Sequence, residues 1–244
     1  MATLISEPDR GKLERKAVKI ITSAVERAVV DHGHAVLGVP GGTSVRGLFG
    51  KLCGDASIPW DKVHVFMVDE RLVALDDADS NFRQVKELLL DHLISSGKLP
   101  EKNVHPFTFA KGRVKAGLIR YYKQLCKLGG RFDAMVLGCG PDGHVAALFP
   151  GHESIKDLSE GFISFKDSPK PPSGRMSASK KLIQETGTIV LMLLGEAKKE
   201  ALVRYLDDRI LVSGCPAKLV ESVADSFLLT DLVPYPTINL GDGE

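Results

Sequence analysis

Apolar positions along the chain repeat in two registers, and the alternation between them predicts the fold. Leu13, Ala17, Ile20, Ile21, Ala24 and Ala28 recur at the spacing of one helical face, and Gly33 is placed to end that helix. A short apolar run at 34–39 (HAVLGV) predicts a strand that breaks into Pro40, Gly41, Gly42, Thr43 and Ser44. Helical spacing resumes with Val45, Leu48, Phe49 and Leu52. The run 63–68 (VHVFMV) predicts a second strand, ending on Asp69, Glu70 and Arg71, and a helix follows from about Asn81. Beyond a short extended piece at 104–107, Val114, Leu118, Tyr121 and Leu125 mark another helix. The runs 132–137 (FDAMVL) and 188–193 (TIVLML) predict two more strands, with helical spacing after the last. The run 226–230 (SFLLT) fits a final strand. Strands that are continuously apolar and separated by amphipathic helices indicate an α/β fold: an open, mainly parallel sheet with helices on both faces.

In such a sheet, ligands bind beyond the carboxyl ends of the strands. The predicted strands deliver there residues that a core would not choose: Gly41, Gly42, Thr43 and Ser44; Asp69, Glu70 and Arg71; Asp142 and His144; and, after Gly195, Lys198. Their convergence on one edge argues for a site without reliance on any single motif. The glycine–hydroxyl loop before a helix can cradle an anion, and Arg71 can pair with a phosphate in bidentate fashion. The proline-rich stretch 166–179 adds Arg175 with Ser177 and Ser179, and is read as a functional loop within a single domain, 1–244. Each feature has a plainer reading alone: a capped turn, a surface ion pair, an exposed basic loop, a solvated lysine. The stretch GCGPDGH is more specific, because it sets His144 where a helix is expected to begin. A helix dipole there would disfavour the protonated ring and keep it competent as a base. Asp142 is close enough to orient the imidazole or to bind substrate, and the sequence leaves both open.

Composition narrows the classes. Lys plus Arg at 32 against Asp plus Glu at 31 leaves a net charge of +1, so no global field recruits nucleic acid or an anionic membrane. The N-terminus carries acids and a proline where a signal peptide needs an apolar core, and no run approaches the roughly 18 apolar residues of a membrane span. Cys53, Cys126, Cys139 and Cys215 are scattered and form no CxxC pair, which argues for a reducing, cytoplasmic setting. His144 and His152 lack the carboxylates or the HExxH spacing of a zinc site, so no metal is expected.

The segments VPGGTS, VDERLV, DSNF, GPDGHVAALFPG, SPKPPSGRMSAS and LGEAKKEAL occur in an order that resembles the 6-phosphogluconolactonases, over residues from about 35 to 205. The wider superfamily includes the glucosamine-6-phosphate deaminases, which look similar through the glycine loop and the DGH turn. The deaminases carry an asparagine and a glutamate where this chain has Leu148 and Phe149, neither of which moves a proton. Three departures stand out. Thr43 and Ser44 are swapped relative to the usual loop, with Val45 in place of its proline; Ser177 and Ser179 replace threonines; and the chain after 215 matches loosely and lacks a common tryptophan.

The resemblance implies a Rossmann-like fold similar to glucosamine-6-phosphate deaminase and hydrolysis of 6-phospho-D-glucono-1,5-lactone, without metal or nicotinamide cofactor. It assigns His144 as general base on water. Arg71, Arg175 and Lys198 become the phosphate cations, the Gly41–Ser44 loop supplies donors, and Asp69 and Asp142 bind sugar hydroxyls or orient the base. Backbone N–H groups around Gly140 and Gly143 are one source of oxyanion donors. A small sugar phosphate is the expected partner, with glucose-6-phosphate dehydrogenase acting beside the enzyme. A deaminase-type sugar-phosphate isomerase and a non-catalytic sugar-phosphate sensor are the alternatives.

Overall fold

The computed structural model describes residues 2–232, so the ends of the expected 1–244 unit lie outside the described residues. A short strand, β1 (Thr3–Ser6), precedes the long helix α1 (Arg10–His32). The Asp9 side chain accepts from the Lys12 N–H at 3.1 Å to cap α1, and Gly33, left-handed at φ 83°, ends it. Then come β2 (Ala35–Val39), α2 (Arg46–Gly54), β3 (Val63–Met67) and β4 (Asp69–Arg71). A single helical rod follows, built of α3 (Asn81–Val85), a π-turn (Lys86–Leu90) and α4 (Asp91–Ser95), and it leads to β5 (Val104–His105). The next elements are α5 (Val114–Cys126), β6 (Ala134–Gly138), β7 (Phe162–Phe165) and β8 (Arg175–Ala178). Last come α6 (Lys180–Gln184), β9 (Thr188–Leu193), α7 (Lys199–Leu206) and β10 (Asp225–Thr230).

The main sheet has seven strands in the order β1-β10-β9-β6-β2-β3-β5, all parallel. Every position of β2 and β9 is buried, which requires cover on both faces of the sheet. Leu13, Ala17, Ile21 and Val25 of α1 supply part of that cover. None of the described helices is long and apolar enough to cross a membrane.

A second sheet, β4-β8-β7, is antiparallel and joins the first through Val68. Val68 donates to Val39 O at 3.0 Å in the main sheet and accepts from Ala178 N at 2.6 Å in the small one. Periodicity did not predict this sheet: β4 is the DER stretch itself, and β8 lies inside the stretch read as loop. β4 (DER) and β8 (RMSA) are short and interrupted by polar residues, and the apolar β7 (FISF) is only four residues long. The edge strand β1 is mostly exposed and gives no apolar signal either.

On β3 and the edge strand β5, His64 Nδ1 lies 3.0 Å from His105 Nε2, and His105 stacks on Phe66 with ring centroids 4.1 Å apart. Burial, reinforced by His64, lowers the His105 pKa from 6.5 to about 4. The unfolded chain therefore binds more protons than the folded one between pH 6.5 and 4, and stability falls as the pH drops through that window. Melting temperature measured across it should decline toward acid, and His105→Phe, which keeps the stack, should flatten the decline. An unchanged slope in the variant would contradict this assignment.

Candidate active site

A cavity of about 180 Å³ opens where the carboxyl ends of β2, β3 and β6 meet the small sheet, lined among others by Gly41, Asp69, Arg71, His144, Ala146 and Lys198. Gly42, Thr43 and Ser44 line it as well, so the loop, Asp69 and Arg71, the histidine and the lysine expected to converge do converge. Asp142 and Arg175 are not part of this lining.

The turn after β6 differs from expectation in one respect: no helix begins at His144. Val145 instead forms isolated antiparallel bridges with Cys139 and Leu148, and Ala146 is left-handed at φ 49°. With Gly143 also left-handed at φ 87°, the backbone leaves the right-handed region on both sides of His144, and helical hydrogen bonds cannot start. No helix dipole acts on the ring, and the control is local. His144 Nδ1 lies 2.6 Å from Asp142 Oδ1. An ionised carboxylate only accepts, so Nδ1 carries the proton and Nε2 is left with its lone pair. Gly140 is what makes room: a Cβ there would fall 2.0 Å from His144 Nδ1 and 2.6 Å from Asp142 Oδ1. Phe149 packs on the other side of the ring, with centroids 4.8 Å apart.

Burial acts to raise the Asp142 pKa, but hydrogen bonds and charge from His144 and Lys170 outweigh it and hold the carboxyl well below the usual carboxylate range. Lys170 Nζ sits 3.0 Å from Asp142 Oδ1 and 3.2 Å from His144 Nδ1. The backbone donors considered for an oxyanion are already engaged: Gly140 N donates to His144 O at 2.8 Å, and Gly143 N to Gly140 O at 3.0 Å.

The small sheet sets the cations. Its register pairs Arg71 directly with Arg175, and Asp69 with Ser177. Arg71 Nη1 donates to Asp79 O at 2.6 Å and its side chain reaches the cleft. The Arg175 guanidinium instead donates to four carbonyls, those of Lys170, Pro171, Pro172 and Gly174, so it holds the preceding loop in shape. Ser177 and Ser179 serve the backbone too: the former accepts from Ala147 N at 3.1 Å and the latter caps α6. Asp69 is buried, which raises its pKa against the pull of Arg71, His144, Arg175 and Asn81.

The Gly41–Ser44 loop is fixed from α3. Gln84 closes a pair of hydrogen bonds on Gly42, accepting from its N–H at 2.7 Å and donating to its carbonyl at 3.2 Å. Asn81 donates to both the carbonyl and the carboxylate of Asp69, at 3.1 and 3.0 Å. Its side chain lies against Gly41, where a Cβ would come 2.1 Å from Asn81 Oδ1. Lys198 stands in the 3-10 turn Glu196–Lys198 that leads into α7, and burial lowers its pKa.

The sequence assigns no site role to Asn81, Gln84 or Lys170, and it places Glu70 at the cleft edge, which it does not line. The first two belong to a capped helix start, where Ser80 accepts from Arg83 N at 3.2 Å, a signal the DSN triplet carries. Glu70 is the link between β4 and that helix, not a surface acid: its carboxylate accepts from Arg71 N, Asn81 N and Phe82 N at 2.7 Å and from Ser80 Oγ at 3.0 Å. Replacing it leaves buried donors unpaired, so Glu70→Gln should lower unfolding free energy by about 3 kcal/mol in urea denaturation. A loss within ~0.5 kcal/mol would show the anchor to be dispensable.

A family model described as glucosamine-6-phosphate isomerases/6-phosphogluconolactonase matches residues 8–229. A curated 6-phosphogluconolactonase of Mycobacterium leprae is 32% identical over 196 residues, covering 76% of this chain and 78% of the relative. A crystal structure of a 6-phosphogluconolactonase from Shewanella baltica superposes with a TM-score of 0.79 at 28% identity, covering 94% of this chain and 98% of that one. A monomeric glucosamine-6-phosphate deaminase reaches the same TM-score, 0.79, at 19% identity, covering 93% of this chain and 96% of its own, so the fold alone does not separate the two activities. The chain belongs to the glucosamine-6-phosphate isomerase/6-phosphogluconolactonase family.

Proposed function

We propose that the protein hydrolyses 6-phospho-D-glucono-1,5-lactone to 6-phospho-D-gluconate, with His144 as general base. The observation that carries the reading is the Asp142–His144 contact of 2.6 Å, which leaves Nε2 as the ring atom free to act on a molecule in the cleft. A lactone is an activated ester, and a base, charge at the carbonyl oxygen and a grip on the phosphate suffice to open it. Nε2 takes a proton from water as the water oxygen bonds to C1. The tetrahedral adduct then collapses with cleavage of the C1–ring oxygen bond. Nε2 returns the proton to the departing ring oxygen, which becomes the C5 hydroxyl, and the new carboxylic acid ionises into solvent.

Arg71 and Lys198 grip the phosphate together with the hydroxyls of Thr43 and Ser44, while Gly41 and Gly42 allow close approach. Arg175 lies behind Arg71 and adds positive potential to the same end of the cleft. Asp69, held by Asn81, receives sugar hydroxyls. The site draws on residues from 41 to 198, which fits one functional domain. The lactone is the oxidation product of glucose 6-phosphate, so the enzyme acts after glucose-6-phosphate dehydrogenase in the oxidative pentose phosphate pathway. Four free, scattered thiols fit a cytoplasmic setting.

Deamination is the second reading, and Leu148 and Phe149 weigh against it. Both are buried apolar side chains, and Phe149 lies against the base where a proton-moving carboxylate would be needed.

The lactone can be generated in situ from glucose 6-phosphate and acid release followed at a pH that suppresses spontaneous opening. The protein should accelerate that release and should form no ammonia from glucosamine 6-phosphate; ammonia without lactone turnover would reverse the assignment. His144→Ala should lower kcat by about 10²–10⁴ while product affinity holds. Arg71→Ala should act chiefly on KM, by roughly 2 kcal/mol or about 30-fold, as for a lost charge-assisted contact. Parental kcat in the first variant would move the base elsewhere, and unchanged KM in the second would remove Arg71 from the clamp.

A further inference from the structure

We propose that Lys170 is a positioning residue that sets the working pH range of the base through its contact with Asp142. The inference rests on the reading of His144 as that base, and begins with an asymmetry in the site. Lys170 Nζ meets Asp142 Oδ1 at 3.0 Å, the same oxygen that holds His144 Nδ1 at 2.6 Å. It therefore approaches the imidazole from the nitrogen turned away from the reacting atoms, and it stands outside the lining of the cleft.

The consequence is electrostatic. An isolated Asp–His pair stabilises the imidazolium strongly, which favours proton uptake but leaves the base already occupied in mild acid. An ammonium fixed 3.2 Å from Nδ1 opposes that charge. The proton that the ring gains from water is therefore released readily to the ring oxygen of the substrate. The other charged groups that face His144 come from different elements: Asp69 and Arg71 from β4, and Lys198 from the turn before α7. The thiol of Cys139, at the end of β6, is pushed up to about 12 by burial and stays neutral. Lys170 is the cation in direct contact with the pair.

The position of Lys170 is itself built. The Arg175 guanidinium binds the carbonyls of Lys170 and Pro171 at 3.0 and 3.1 Å and also those of Pro172 and Gly174. A buried arginine in the small sheet thus fixes the backbone from which the lysine reaches the dyad.

Lys170→Met and Lys170→Arg, both in the full chain, separate this role from others. The acid limb of kcat/KM should move to higher pH by about one unit in Lys170→Met, so that activity on that limb falls about tenfold at fixed pH. Lys170→Arg, which keeps the charge, should hold the parental limb. Affinity for 6-phosphogluconate should be unchanged within about twofold in both. A uniform loss of kcat with the limb unmoved would make Lys170 a structural prop. Weakened product affinity with the limb unmoved would make it a substrate ligand. Either result overturns the proposal. Titration of the His144 Cε1–H signal by NMR reads the same displacement without substrate. Should the parent enzyme fail to open the lactone, the hydrolase reading falls, and a displaced titration in Lys170→Met still upholds the link between the lysine and the ring.

Discussion

The hydrogen bond between Asp142 and His144 is the constraint on which the site depends. Two residues of one tight turn must place a carboxylate oxygen and a ring nitrogen 2.6 Å apart, and the turn's backbone must bend sharply to do it. Gly140 is the position that permits the approach, because any side chain there would occupy the space of the ring. Gly143, at φ 87°, lets the chain reverse beneath it, packed so closely that a Cβ would lie 2.9 Å from Cys215 Sγ. Gly140 and Gly143 therefore shape the space of the imidazole, while Gly138 and Gly140 also line the cleft.

Around that pair, two sheets divide the work. The parallel sheet presents the loop after β2, the turn after β6 and Lys198 after β9 at one edge, as the carboxyl ends of parallel strands do. The antiparallel sheet closes the cleft from the side and carries Asp69, Arg71 and Arg175 in fixed register. Glu70 welds this small sheet to the start of α3, and α3 in turn supplies Asn81 for Asp69 and Gln84 for Gly42. Asp69, Arg71 and the glycine loop thus rest on elements joined by shared polar contacts.

Much of this was legible in the chain itself. The continuous apolar runs gave the central strands and their order of connection, because strands buried on both faces need no polar alternation. The residues at the ends of those runs gave most of the cleft. What escaped was whatever depended on short polar strands or on contacts between distant segments. The DER stretch resembled a surface ion pair because Glu70 meets its partners ten to twelve positions later. Arg175 resembled a phosphate ligand because the sequence cannot show that carbonyls of its own loop use its donors. His144 resembled a helix start because the turn ahead of it is glycine-rich, whereas Ala146 in a left-handed conformation denies the helix. Lys170 is 26 positions from His144, and no spacing rule joins them.

The central claim is a statement about one proton: in the resting enzyme it sits on Nδ1 of His144, facing Asp142, and Nε2 is bare. Nitrogen-15 chemical shifts of the His144 ring, measured on the free protein near pH 7.5, test it directly. The account predicts a protonated-type shift at Nδ1 and an unprotonated-type shift at Nε2. The reverse assignment would leave no lone pair directed at a substrate and would contradict it.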